Sequence, residues 1–122
     1  MQNVTIPTMA LRGSVTLAIV LGIALWTGSA DSLMGIHIGI GIIAVLSLWW
    51  LSYSALQINS GLAIGGFVLG LLIALLGINQ TALLSGSAHW VVQVVHAALG
   101  ISAAGLGEVI GARSKRAATQ QA

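Results

Sequence analysis

Four long apolar runs divide the chain. Residues 9–28, 33–53, 60–78 and 88–112 are nearly continuous in Ala, Val, Leu, Ile and Gly, and the segments between them, "GSADS" at 28–32, "SALQIN" at 54–59 and "NQTALLSGS" at 79–87, collect the turn-forming Gly, Ser, Asn and Asp. A bilayer core about 30 Å thick is crossed by about 20 residues of helix rising about 1.5 Å each, so every run is long enough to span it. The other structure that satisfies all backbone groups in lipid is a closed β-barrel, whose strands alternate polar and apolar residues. Stretches such as "LAIVLGIAL" and "FVLGLLIALLG" do not alternate. The pattern predicts an all-α, four-helix transmembrane bundle of one domain, with short connections that make consecutive helices antiparallel neighbours, up-down-up-down. Pro7 precedes the first predicted span, so no kink is expected inside one.

Composition strengthens this reading. A hydrophobic fraction of 57% against 5% charged residues, with a mean hydropathy of +1.04, leaves too little polar surface to cover a water-soluble globule. A signal peptide is the alternative for the first 30 residues, but Trp26 near the far end of that run suits an interfacial aromatic of a retained span. The few basic residues set orientation: Arg12 lies early in the first run, Arg113, Lys115 and Arg116 follow the fourth, and no connecting segment contains Lys or Arg. By the positive-inside rule both termini are expected in the cytoplasm, in a bacterial plasma membrane. The same four charges, read as topology signals and headgroup contacts, account for the pI near 10 without nucleic acid. The tail "ARSKRAATQQA", with the basic and polar residues 113–122, is expected to be disordered. With no cysteine, disulfides, thiolate-bound zinc, iron–sulfur clusters and covalently attached haem are excluded.

Glycine spacing points to close helix contacts. In lipid, helices associate by van der Waals packing, and small residues four apart allow close approach; Gly35 and Gly39, Gly61 and Gly65, Gly66 and Gly70, and Gly107 and Gly111 have that spacing. Such faces suit a tight bundle, a homo-oligomer, docking into a larger membrane complex, or a flat cofactor lying against a helix.

The three histidines are the candidate chemistry. Ionisable groups at membrane depth are costly and mark functional sites by default. His37 stands in "LMGIHIGIG" with Gly41 one turn on, and His89 and His96, seven residues apart, share a helix face with Gln93 between them and Gly100 one turn past His96. Imidazole followed by small residues leaves room for something bulky. Neutral imidazoles on two facing helices are the axial ligands of b-type cytochromes. His37 and His96 are expected at similar depth and are the candidate ligands of one haem b, with His89 as a spare that sits at the rim, meets a propionate or substitutes for His96. Three histidines support at most one bis-histidine haem. Without a ligand, His37 and His96 would instead hydrogen-bond across helices to Gln93, Ser47 or Ser102.

Here the chain resembles one four-helix half of the haem A synthase family and, more loosely, bacterial cytochrome b561. The resemblance rests on His37 in the second helix, His96 in "VVHAALGI" and the glycine-rich third helix "SGLAIGGFVLGLLIALLG", and it implies a membrane-embedded b-type haem protein. Haem A synthases have a glutamate about one turn before the second-helix histidine, where this chain has Leu33 and Met34. That departure implies electron transfer without substrate oxidation of its own, and one bundle in place of two implies a single-haem relative or half of a homodimer.

Other readings follow from the remaining residues. A small structural subunit of a larger membrane complex, without cofactor, is the competing class, and a small multidrug transporter a third; the first span "SVTLAIVLGIALWTG" lacks the coupling carboxylate such transporters carry. Glu108 is expected to snorkel or pair near the interface, and Asp31 to cap the second helix. Trp49, Trp50 and Tyr53 read as an aromatic belt, with a quinone headgroup as an alternative occupant. No Ser-His-Asp set is apparent, and "GIHIGIG" lies inside a span, with no strand before it to make a dinucleotide loop.

Overall fold

A backbone in lipid must satisfy its own hydrogen bonds, and this chain does so as helix. The computed structural model describes residues 3–28 and 31–122. It contains α1 (Thr5–Trp26), a single 3-10 turn (Asp31–Leu33) leading into α2 (Met34–Ala55), α3 (Ser60–Asn79) and α4 (His89–Gln121), with no strand among the described residues. All four helices are long and apolar enough to cross a membrane; the shortest, the 20-residue α3, is about 30 Å long. The protein is an all-helical integral membrane bundle.

Helix boundaries differ from the sequence expectation in ways local chemistry explains. α1 starts at Thr5, so Pro7 lies inside its first turn, where its missing N–H has no carbonyl to meet and no kink results. Asn59 caps α3, its side chain accepting from the Leu62 N–H at 3.0 Å. Asp31 does not cap α2: Leu33 is the N-cap and no side chain bonds there, because Asp31 opens the intervening 3-10 turn. Ser29 and Ala30, within the predicted 28–32 turn, lie outside the described residues. The expected disordered tail is helix through Gln121. Ala, Arg, Lys and Gln are strong helix formers, and extending an existing helix carries no nucleation cost.

Packing is unequal along the bundle. α2 is central, lying against α1, α3 and α4, while α1 and α3 make no close backbone approach. At one end Leu11, Leu48, Leu51, Ala63 and Ile110 form a dry core, and helices touch through glycine. A Cβ on Gly107 would run into Leu11, one on Gly66 into the Ser52 hydroxyl, one on Gly70 into the Trp49 indole, and one on Gly111 would stand 2.7 Å from Thr8 Oγ1. Gly35, Gly39 and Gly65 meet nothing within 4 Å, and Gly61 meets only the Asn59 side chain that caps its own helix, so two of the four predicted glycine pairs carry the packing. Trp49 is no belt residue: its indole N–H donates to the Phe67 carbonyl at 3.2 Å, whereas Trp50 and Tyr53 are exposed. Glu108 pairs with Arg12 in a two-pronged ion pair, Nε to Oε1 at 2.8 Å and Nη2 to Oε2 at 3.0 Å, joining α4 to α1. Toward the other end, among the described parts of 16–43 and 71–102, Val92 is the single buried residue.

Candidate functional site

The loosely packed end surrounds a cavity of about 1000 Å³ to which all four helices contribute. Its floor is set by residues of the dry core, including Val15, Leu48 and Ala103, and Trp26, Gln80 and His89 stand at its mouth. Every residue singled out from the sequence, His37, Gly41, His89, Gln93, His96 and Gly100, borders this one space. It is mostly apolar, with a small number of converging polar groups, the usual constitution of a small-molecule site.

Two imidazoles meet there. His37, on the first turn of α2, and His96, two turns into α4, have ring centroids 6.4 Å apart and planes inclined at 58°. A ring nitrogen lies about 1.2 Å from its ring centre, as bond lengths near 1.33 Å require, so no nitrogen of one ring comes within about 4 Å of a nitrogen of the other. Direct hydrogen bonding between the rings is therefore excluded.

Neighbouring glycines seat the two rings. His37 Cε1 lies 3.5 Å from where a Cβ on Gly22 of α1 would stand, and His96 Cε1 lies 3.2 Å from the same point on Gly77 of α3. Gly41 and Gly100 behave differently: a Cβ on either meets nothing within 4 Å, so these two leave open space beside the imidazoles. The sequence reading found the open pair and missed the seating pair. Gly22 and Gly77 belong to helices without a histidine, and no periodicity links them to one.

The hydrogen-bonded alternative for these histidines fails in its serine partners. Ser47 Oγ donates to the Ile43 carbonyl at 2.7 Å and Ser102 Oγ to the Ala98 carbonyl at 2.8 Å, each within its own helix. Nδ1 of His37 and Nδ1 of His96 are both buried with no hydrogen-bond partner, a condition shared among the described buried side-chain polar atoms only by Ser114 Oγ. His89 is placed apart from the pair, its Nδ1 3.2 Å from the Leu83 carbonyl in the loop before α4. No group of three or more His, Asp or Glu residues that could hold a metal occurs among the described residues. Compared with known proteins, the chain matches no family model, no curated protein and no solved structure.

Proposed function

We propose that the protein is a small membrane-embedded b-type haem protein that transfers electrons, with one haem between α2 and α4 and His37 and His96 as its axial ligands. In this reading the bundle runs up-down-up-down with both termini in the cytoplasm of a bacterial cell, and the histidine end faces outward. The observation that carries it is the pair of imidazoles on two different helices, 6.4 Å apart, at the edge of a cavity of about 1000 Å³. The fit is supported by the open sides of Gly41 and Gly100. A haem supplies one-electron chemistry, with a potential set by its axial ligands and the polarity around it. The chain's own contribution is to fix the two rings against Gly22 and Gly77, to keep water away through the dry core below, and to offer His89 and Gln93 at the mouth as the polar partners for the carboxylates of such a ring.

The visible spectrum of protein purified from haem-replete cells tests this. A Soret band with reducible α and β bands is expected, lost in His37→Ala and in His96→Ala and kept in His89→Ala. Colourless wild-type protein refutes the proposal, and pigment retained by both His37→Ala and His96→Ala refutes the ligand assignment.

A further inference from the structure

A second cavity, of about 520 Å³, opens at the opposite end of the bundle, where the last turn of α2 meets the extension of α4 beyond the predicted span. Tyr53, Ser54, Gln57, Ser114 and Gln121 form its polar wall, and Val4 and Ile58 are among its apolar residues. Among the described residues no carboxylate, ammonium or guanidinium lines it. The volume lies within the range of small-molecule pockets.

Ser114 is the informative residue. A serine or threonine within a helix commonly donates to a carbonyl about one turn behind it, and the other buried ones in this chain do so: Thr8 to Val4 at 2.6 Å, Ser14 to Leu11 at 3.2 Å, Ser47 to Ile43 at 2.7 Å and Ser52 to Leu48 at 2.8 Å. Ser114 is 4% exposed, and its Oγ has no partner. Leaving a buried hydroxyl unbonded is costly, and Ser114 lines a cavity whose other described polar residues are all uncharged.

We propose that this cleft binds the uncharged, oxygen-bearing head of an amphiphile dissolved in the membrane, with the Ser114 hydroxyl donating to a head oxygen and Tyr53, Gln57 and Gln121 completing its hydrogen bonds. A phosphate would enter without a cation in the wall, an arrangement that burial penalises; Arg113, Lys115 and Arg116 are exposed and outside the lining. Two sources carry the required chemistry, the ring carbonyls of an isoprenoid quinone and the hydroxyl and esters of a neutral diacylglycerol. Val4 and Ile58 supply the apolar contact that either needs where its tail begins. Eighteen residues of helix, about 27 Å, separate Ser114 from His96, so the site stands independently of the haem reading and is testable on pigment-free protein.

The full chain in phosphatidylcholine nanodiscs is cross-linked with a photoreactive short-tailed benzoquinone and, separately, with a photoreactive dioctanoylglycerol, and the adducts are mapped by peptide mass. Saturable labelling of residues 53–58 or 114–121 by at least one probe is expected, and the probe that labels names the source; labelling by both supports the shared chemistry. The half-saturating concentration rises about threefold to tenfold in the near-isosteric Ser114→Ala, the loss of one hydrogen bond, and labelling disappears in Ser114→Leu. Absence of saturable labelling there, labelling unchanged in Ser114→Ala, or stronger competition by dioctanoyl phosphatidic acid than by either neutral compound overturns the proposal.

Discussion

Two glycines on one face of α4 should respond oppositely to enlargement. Gly100 and Gly107 are seven residues apart, two turns along the same stripe. A Cβ on Gly107 runs into Leu11 and lies 3.4 Å from Leu51 Cδ1, whereas one on Gly100 meets no heavy atom within 4 Å. In Gly107→Ala the helix-propensity gain of about 1 kcal/mol is set against an overpacking cost of about 1–3 kcal/mol, for a net loss of about 0–2 kcal/mol. Gly100→Leu keeps the propensity gain of about 1 kcal/mol and adds only dispersion inside the cavity, because lipid is as apolar as the space being filled. The haem-free protein should therefore be stabilised by about 1 kcal/mol, while the isobutyl group occupies the room beside His96 and removes the pigment. Denaturant titration in detergent, followed by tryptophan fluorescence on protein made without haem, measures the first effect, and the Soret absorbance of haem-replete protein the second. If Gly100→Leu destabilises as much as Gly107→Ala, the histidine end is packed rather than open. If Gly100→Leu stabilises the chain yet keeps full colour, the cavity beside Gly100 is not where a cofactor sits.

Three further outcomes follow from individual contacts. Arg12→Met or Glu108→Met alone leaves a half-exposed charge without its partner and is expected to cost up to about 1 kcal/mol in the same titration, with most of the loss recovered in the charge-reversed pair Arg12→Glu with Glu108→Arg; two neutral single variants would show that the ion pair contributes nothing. Trp49→Phe keeps a ring against Gly70 but removes the indole N–H donated to the Phe67 carbonyl, a loss of about 1 kcal/mol, and an unchanged midpoint would mean that water or lipid replaces that bond. Asn59→Ala removes the α3 cap at about 1 kcal/mol, whereas Asn59→Gly costs only a few tenths; equal losses would place the effect outside the side-chain bond.

Fold class was legible because its cause is one-dimensional: an uninterrupted apolar run about 20 residues long has one main use in lipid. Six of the eight helix termini lie within two residues of the predicted limits, and the two large exceptions, the first four residues of α1 and the last nine of α4, are polar or Pro-containing segments whose helicity depends on neighbours rather than hydropathy. That His37 and His96 come together was readable from their shared depth on helices two apart. What periodicity could not show was the geometry of what surrounds them. Gly22 and Gly77 act through space from other helices, and Arg12 finds Glu108 across 96 residues of chain, pairings that exist only once the helices have chosen their rotations. Trp49 differs from Trp50 for the same reason: adjacent residues of a helix face about 100° apart, and one of the two turned toward Gly70.

Confining the tight contacts to one end makes each helix a lever clamped at its foot. From the clamp at Gly107 and Leu11 to His96 is eleven residues, a lever arm of about 16 Å, so tilting α4 by about 5° shifts the imidazole by about 1.4 Å. The gap between the rings is thus governed by side chains that never approach it. A methyl group added at the foot of the lever reads out as a change in the spacing of the two imidazoles at its tip.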